Sequence, residues 1–283
     1  MNGASSNRVV RQTRALKIRP RSALALTLVS LVGVIAFGWP LLAGPDSALA
    51  HAHDASLLFA LLMVLLLAVV LAEIADGGID SKAIALLGVL TAVGAALRPL
   101  GTGITGFSPV FVLIILGGRV LGRGFGFVLG ALTLFTSALI TGGVGPWLPF
   151  QMLGAAWVGF GAGCLPRANG RREVAMVAAY GAFAGIAYGF ALNLWFWPFT
   201  SGLTTRLSYV PGAPLSENLH HFFAFCIATS LGFDIPRAIG NLVLVLAIGA
   251  PLIRTLRRAS RKAAFEAVPT FVDTEPVTPL VRR

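Results

Sequence analysis

The feature that most constrains this sequence is a series of long apolar segments separated by short polar runs. The first of them, Ala23–Ala43, is long enough to cross about 30 Å of hydrocarbon as a helix. Charged residues make up only 12% of the 283 residues, whereas soluble domains carry roughly 25%. Most of the surface must therefore face lipid. The sequence predicts an all-α, polytopic membrane helix bundle and excludes a soluble domain.

Eight transmembrane helices are expected along the chain. After Ala23–Ala43, the predicted spans are Leu57–Ile74, Ala83–Leu97, Phe107–Leu121, Phe125–Thr141, Trp147–Leu165, Val174–Phe199 and Ile235–Ile253. Between the last two spans, the apolar stretch Phe222–Leu231 is too short to cross. We expect it to form a half-helix that lies in the bundle or caps it.

The start of the chain also resembles a signal peptide, because six basic residues precede the first apolar segment. Residues 48–50 (Ala-Leu-Ala) form a candidate cleavage site. The apolar segment is longer than the usual core of a signal peptide, which favours a retained first helix.

Basic residues predict the orientation of the bundle. The net charge is +11, and in the eight-span topology 19 of the 22 Lys and Arg residues fall on the same side as the N-terminus. Only Arg98, Arg206 and Arg237 fall on the other side. The positive-inside rule then predicts cytoplasmic N and C termini in a multi-pass protein of the cytoplasmic (inner or plasma) membrane. Basic residues do not alternate with stacking aromatics, so no nucleic-acid partner is expected.

The chain divides into four parts by composition. Residues 1–22 form a basic cytoplasmic N-terminus, and residues 23–80 hold two N-terminal transmembrane helices. Residues 81–258 contain six spans rich in small residues, and residues 259–283 form a cytoplasmic tail that we expect to be disordered. The two cysteines, Cys164 and Cys226, fall on opposite sides of the membrane and predict no disulfide.

Acidic residues are scarce in the predicted spans, which limits the chemistry that the chain can perform. Glu73, Asp76 and Asp80 at the inner end of the second span resemble carboxylates that hold Mg²⁺ and a diphosphate in a membrane lipid enzyme. A second matching cluster is missing, and an acidic loop is the simpler interpretation because carboxylates are tolerated at an interface. A stand-alone secondary transporter would need an internal repeat and an ion-coupling acid within a span, and the sequence shows neither.

Histidines and glycine-rich runs give no cofactor site. His51, His53 and Asp54 fall on the same side as His220 and His221 and have ligand types that suit transition metals. All four histidines lie in loops, where exposed histidine is ordinary, so no metal and no cofactor is predicted. The run at 122–126 (GRGFG) lacks the Gly-Lys-Ser/Thr ending that binds nucleotide phosphates. Energy from ATP would have to come from another subunit.

Small residues recur at four-residue spacing on several spans. Because no hydrophobic force brings helices together in lipid, close approach depends on such residues. The stripes are Gly88/Ala92/Ala96, Gly126/Gly130, Ala155/Gly159/Gly163 and Gly181/Gly185/Gly189. Internal packing accounts for most of them, and one stripe is a candidate surface for a partner protein.

Polar and aromatic side chains concentrate at the outer ends of the predicted spans. An interfacial aromatic belt explains Trp195 and Trp197 about as well as ligand binding does. Gln151 and Asn193 lie about one turn inside the hydrocarbon and need partners. Short spans broken by Gly and Pro are typical of a binding cavity in transporters. We therefore predict an outward-facing cup for a small molecule, with these substrate-binding residues: Arg98, Ser108, Trp147, Gln151, Asn193, Trp197, Tyr209 and His220.

From Ala83 to about Arg258 the chain resembles the S component of an energy-coupling factor (ECF) vitamin transporter, the substrate-binding membrane subunit. The matching features are six small, glycine-rich spans with both ends inside, and outer loops between the first and second and between the third and fourth core spans. The loop at 142–151 (GGVGPWLPFQ) resembles S components of actinobacterial type. In that family an Ala-x-x-x-Ala pattern on the first core span docks onto the transmembrane coupling subunit. Ala92 and Ala96 supply it here, with Gly88 one step earlier.

The resemblance implies a transport function and no enzymatic activity. The chain would capture a vitamin or vitamin-like molecule from outside and deliver it with a coupling subunit and two ABC ATPases. Cobalamin-type members are the most similar, so a corrinoid is the first expected ligand, with biotin, thiamin, riboflavin and pyridoxine-like molecules as alternatives. Metal-type relatives use an N-terminal histidine that Met1-Asn2-Gly3 lacks. The two spans before residue 81 are absent from a minimal S component.

Overall fold

The structure, a computed structural model, describes residues 20–42, 81–101, 105–200 and 206–263, together with residues 61, 62, 65, 66 and 68. All regular elements in these residues are helical, which confirms the predicted fold class for this part of the chain. Within the described residues, five helical stretches are long and apolar enough to cross a membrane. The count of eight stays a prediction. The helices are α1 (Pro20–Leu42), α2 (Ser81–Leu97), α3 (Val110–Leu121), α4 (Arg123–Thr141), α5 (Leu148–Cys164), α6 (Gly170–Phe196), α7 (Leu215–Phe225) and α8 (Leu231–Ala263).

Several predicted features lie wholly or mostly outside the described residues. Of the second predicted span, Leu57–Ile74, the structure describes five helical residues, and Leu62 and Leu66 among them are fully buried. The acidic group Glu73, Asp76 and Asp80, the loop histidines His51 and His53, and the tail from residue 264 are not described.

The predicted half-helix at Phe222–Leu231 is not a separate element. A π-helical turn, Cys226–Ser230, joins α7 to α8, so the chain is continuously helical from Leu215 to Ala263. The apolar stretch continues into the last span because the sequence offers no stop between them: Gly232 is the one glycine between Leu215 and Pro236. A π turn accommodates extra residues in a helix without ending it.

Helix α3 forms the centre of the bundle. All 12 of its residues are buried, and it contacts α2, α4, α5, α6 and α8. A helix that is apolar on every side is typical of such a buried position. Helix α2 lies at the periphery against α3 and α4, and α1 packs on α5, α6 and α7.

Glycines bring α4 and α5 into backbone contact. A Cβ added at Gly126 or Gly159 would collide with the backbone of the other residue, and one at Gly130 would collide with the carbonyl of Ala155. The stripes predicted on these two helices therefore serve internal packing. Small side chains replace the hydrophobic force that is missing between helices in lipid.

The two ends of the bundle differ in chemistry. We call the end at which α2, α4 and α6 begin the basic end, and the opposite end the aromatic end. The basic end carries Lys82, Arg119, Arg123, Arg167, Arg171, Arg172, Arg254, Arg257, Arg258 and Arg261.

A buried ion-pair network ties the helices together at the basic end. The Glu173 carboxylate on α6 accepts from Arg119 of α3 at 2.8 Å and from Arg257 of α8 at 2.6 Å. Arg119, which is 1% exposed, also donates to the carbonyl oxygens of Leu165 and Pro166 at 2.9 and 3.0 Å. One carboxylate thus joins three elements around a buried guanidinium group.

We predict that Glu173→Ala lowers the free energy of unfolding by about 3–5 kcal/mol, because it removes the carboxylate of a buried ion pair. Unfolding titrations of the purified protein in detergent micelles measure this loss. Glu217→Ala is the matched control, since Glu217 is exposed at the start of α7. Equal losses for the two variants would contradict the prediction.

Candidate binding site at the aromatic end

A cleft of about 540 Å³ opens where α6 ends beside the π-helical turn. We call it the α6–α8 cleft. The Asn193 side-chain amide lies in its wall and donates to the Ser230 hydroxyl at 2.6 Å and to the Cys226 sulfur at 3.6 Å. The π turn places Cys226 and Ser230 toward α6, so Asn193 has the partners that an amide inside the hydrocarbon needs. The lining residues are Asn193, Phe196, Phe199, Thr200, Phe225, Thr229, Ser230 and Phe233.

A row of aromatic rings leads away from this cleft. The rings of Phe150 and Trp195 stack with centroids 4.5 Å apart, and Trp195 lies 5.7 Å from Phe199. Phe199, which also lines the cleft, lies 5.8 Å from Trp39, and Trp39 lies 6.2 Å from Tyr209. We call these five residues the aromatic row. Their spacing is that of interacting rings.

Helix α1 supplies part of this row. Trp39 is 4% exposed, and Phe37 packs edge-on against Phe150 at 5.1 Å. Further from the aromatic end, the Trp157 indole of α5 donates to the Ser30 hydroxyl of α1 at 3.1 Å. The first N-terminal helix is therefore built into the aromatic end and does not stand apart from the six-helix region.

Arg98 and Gln151, both predicted from the sequence, lie in contact. Arg98 follows α2 directly, and its Nη2 donates to the Gln151 Oε1 at 2.7 Å. Gln151 is one residue from Phe150, so the pair adjoins the aromatic row. The second terminal nitrogen of Arg98, Nη1, is buried and has no acceptor within the described chain.

A second polar group lies between α6 and α8. The Asp234 carboxylate accepts from the Arg237 Nη1 at 2.7 Å, and the same nitrogen donates to the Gly185 carbonyl at 3.1 Å. The guanidinium carbon lies 5.4 Å from the centroid of the Tyr188 ring. Gly189 makes room for the carboxylate, because a Cβ there would collide with Asp234.

Sequence reasoning missed this group because it assigned Asp234 to an outer loop. In the structure Asp234 is 5% exposed within α8, and Gly189 of the predicted stripe Gly181/Gly185/Gly189 faces it. Closer to the basic end, the Asn241 amide donates to the Gly181 carbonyl at 3.0 Å. Polar residues at 234, 237 and 241 recur at spacings of three and four residues, which places them on one face of α8, as the three glycines share one face of α6. This pair of faces is the sequence signal that reveals the contact.

The remaining predicted residues of the aromatic end lie partly inside and partly outside the site. Tyr209 belongs to the aromatic row, and burial raises the pKa of its hydroxyl. Trp197 is fully buried beneath the row, and its indole donates to the Leu207 carbonyl at 2.6 Å. Its ring packs against Tyr209 and Phe222, both at 5.4 Å. Trp197 thus supports the site from within the protein.

Ser108, Trp147 and His220 do not line the α6–α8 cleft. The Ser108 hydroxyl donates to the Gly106 carbonyl at 3.3 Å. Trp147 is 45% exposed at the start of α5, with its indole donating to the Gly143 carbonyl at 3.2 Å. His220 is exposed on α7. Within the described residues, no group of three or more His, Cys, Asp and Glu side chains is arranged to hold a metal ion.

Comparison with known families now decides the class of this protein. A family model described as the substrate-specific component of ECF transporters matches residues 82–249. The chain belongs to the ECF transporter substrate-specific component family. It is an S component, the substrate-binding membrane subunit of an ECF transporter, and its family implies a coupling subunit and ATPases as partners. Comparisons with curated proteins and with solved structures gave no match.

The family match confirms the coarse part of the predicted function. The S component is a multi-pass membrane protein and a transport component. The matched region begins at α2 and ends inside α8. Helix α1, with Trp39, lies outside it.

Proposed function

We propose that this S component captures a vitamin or vitamin-like molecule at the aromatic end and delivers it through a separate coupling subunit driven by two ABC ATPases. One observation carries the proposal. An open cleft, a row of aromatic rings and buried polar groups lie together at one end of a bundle that matches the family. Concave apolar sites with a few converging polar groups are the usual form of small-molecule sites.

A corrinoid is the first ligand to test, because the sequence resembles cobalamin-type members most. The α6–α8 cleft of about 540 Å³ also has the size that suits single- and double-ring ligands, since small-molecule sites range over roughly 300–1,000 Å³. Biotin, thiamin, riboflavin and pyridoxine-like molecules therefore belong in the same panel.

We predict that the purified chain binds one of these ligands without ATP, with a Kd of about 1 µM or lower. Native mass spectrometry of the protein extracted from its own membrane identifies any bound small molecule, and equilibrium titration measures its affinity. Asn193→Ala should weaken binding by about tenfold or more, since it removes a hydrogen-bonding amide from the cleft wall. Asn169→Ala, exposed at the basic end, is the control that keeps full affinity.

A pull-down of the native complex tests the partners in the same preparation. The proposal expects coupling ATPases together with the chain. Recovery of neither ATPases nor a bound small molecule would overturn it.

The proposed orientation has the basic end in the cytoplasm and the aromatic end outside. Basic residues are retained on the cytoplasmic side of membrane proteins, and their concentration at one end of the bundle supports this direction. It is the orientation that a protein capturing its ligand from outside requires.

We predict that a membrane-impermeant maleimide labels Cys164 in inside-out vesicles and not in right-side-out vesicles. Cys164 is exposed at the basic end, whereas Cys226 is buried. In the control, Val144→Cys in a Cys164→Ser background moves the reactive thiol to the aromatic end, where Val144 is 50% exposed. Its labelling should show the opposite sidedness. Labelling of Cys164 from the outside would reverse the proposed orientation.

The proposed docking surface for the coupling subunit is the face of α2 that carries Gly88, Ala92 and Ala96. All three residues are exposed, and a Cβ added at Gly88 would meet nothing within 4 Å. This distinguishes the stripe from those on α4, α5 and α6, whose small residues face neighbouring helices. A flat row of small residues on a peripheral helix lets a second protein approach closely.

We predict that Ala92→Leu and Ala96→Leu abolish uptake into cells that express the complete transporter, and leave ligand binding by the purified chain unchanged. The added bulk lies on the outside of the bundle, so it blocks close approach without changing the core. Ala247→Leu, at an exposed alanine of α8, is the matched control and should keep uptake. Loss of both binding and uptake in the α2 variants would mean that these positions stabilise the bundle itself.

A further inference from the structure

Four buried N–H groups at the aromatic end have no hydrogen-bond acceptor in the described chain. They are the indole nitrogens of Trp39 and Trp195, the Nη1 of Arg98 and the Nε of Arg237. Indole and guanidinium nitrogens only donate hydrogen bonds. Buried polar groups in native proteins are paired with few exceptions, and an unpaired one points to a water, an ion or a ligand that completes it.

Arg98 and Arg237 are both half-buried among the residues described at this end, and only one of these two arginines has a carboxylate partner. Arg237 is paired with the Asp234 carboxylate at 2.7 Å. Arg98 bonds to the neutral amide of Gln151, and within the described residues it forms no ion pair. Arginine keeps its charge in proteins, so the half-buried Arg98 guanidinium, bonded here to a neutral amide, retains a positive charge and a buried N–H group for an anionic partner.

The indole donors belong to the aromatic row. Trp39 and Trp195 are 4% and 5% exposed, and both rings pack against Phe199, which also lines the α6–α8 cleft. Trp195 stacks on Phe150, and the next residue, Gln151, is the partner of Arg98. Phe199 therefore connects both tryptophans to the cleft, and Arg98 adjoins the aromatic row through Gln151, the residue after Phe150.

We propose that the ligand of this S component is an anionic ring compound with several hydrogen-bond acceptors. A carboxylate or phosphate group of the ligand accepts from Arg98, and further acceptors of the same molecule take the indole N–H groups of Trp39 and Trp195. This inference rests on the proposed function and narrows its substrate class. It also makes Trp39, outside the family-matched region, a specificity-determining residue of the binding site.

The first test compares ligands that differ only in the anionic group. The full chain in lipid nanodiscs is titrated without ATP with riboflavin 5′-phosphate and riboflavin, pyridoxal 5′-phosphate and pyridoxal, biotin and biotinamide, and nicotinate and nicotinamide. We expect the anionic member of the recognised pair to bind about 10- to 100-fold more tightly, as a hydrogen bond to a charged group predicts. The phosphate pairs and the carboxylate pairs separate the two kinds of anion. Equal or tighter binding of the neutral member overturns the inference.

The second test removes the donors one at a time. Arg98→Gln should reduce the discrimination within the pair to about twofold or less, and Arg98→Lys should restore part of it because the charge returns. Arg206→Gln, an exposed arginine at the same end, is the control that keeps full discrimination. Gel filtration shows whether Arg98→Gln folds. If it does not, the wild-type ligand comparison and the Arg98→Lys variant decide whether Arg98 recognises the anionic group. Full discrimination in Arg98→Gln overturns the role of Arg98.

Phenylalanine replacements test the indoles, because they keep a ring and remove the N–H group. We expect Trp39→Phe and Trp195→Phe each to weaken binding of the anionic ligand by about three- to tenfold. Trp157→Phe is the matched control, since the Trp157 N–H is already bonded to Ser30, and it should bind as the wild type does. If Trp39→Phe binds the ligand with wild-type affinity, the Trp39 N–H group does not contact the ligand, and the inferred role of α1 in the site is overturned.

The two proposals fail in different ways. When native mass spectrometry recovers a small molecule outside the panel, its charge decides: an anion supports the inference and a neutral molecule overturns it. Tight binding of a neutral ligand that is insensitive to Arg98→Gln overturns this inference and leaves the proposed function intact. Absence of any bound or binding small molecule overturns the proposed function, and this inference with it.

Discussion

The whole bundle depends on close backbone contact between helices that have no hydrophobic reason to associate. In lipid, apolar side chains gain nothing by turning inward, so association rests on van der Waals packing and hydrogen bonds. Gly126 and Gly159 supply the first by letting the backbones of α4 and α5 touch. Glu173 supplies the second at the basic end, where it joins α3, α6 and α8 through two arginines.

The same close approach brings charge into the aromatic end. Gly189 leaves space on α6 for the Asp234 carboxylate of α8. Gly185 lets the α8 backbone at Ala238 approach, and its carbonyl accepts from the Arg237 guanidinium. An ion pair at this depth is stable because both charges have partners, and it holds Arg237 over the Tyr188 ring. The packing rule that assembles the helices therefore also positions the polar side chains from which the candidate site is built.

Arg98 differs from this pair in a way that matters for function. Its partner is an amide, so its charge is available to a ligand. A site lined with aromatic rings and donor groups selects a ligand that brings the acceptors, and complementary polar groups give a site more specificity than apolar contact alone. Trp39 lies on a helix outside the family-matched region, so the proposed ligand contact would give the N-terminal extension a role in binding.

Much of this architecture follows from the sequence. Scarcity of charge and apolar segments of span length determine a helical membrane bundle, because lipid offers no partner to an exposed backbone. The starts and ends of α3 to α6 lie within four residues of the predicted spans. The pairing of Arg98 with Gln151 also agrees with the prediction that amides inside the hydrocarbon need partners.

Only the tertiary structure decided which face of each helix meets which neighbour. A four-residue stripe of small residues looks the same on α2 and on α4, yet Gly88 faces open space and Gly126 faces another backbone. From the sequence, Asp234 is assigned to a loop, whereas in the structure it lies opposite Gly189. Trp197 is equally consistent with a surface aromatic, whereas in the structure its indole donates to the Leu207 carbonyl. The sequence determined the kind of environment that each segment requires, because hydropathy is a property of the segment itself. Contacts between segments depend on how the helices are arranged around α3, and a local pattern does not contain that arrangement.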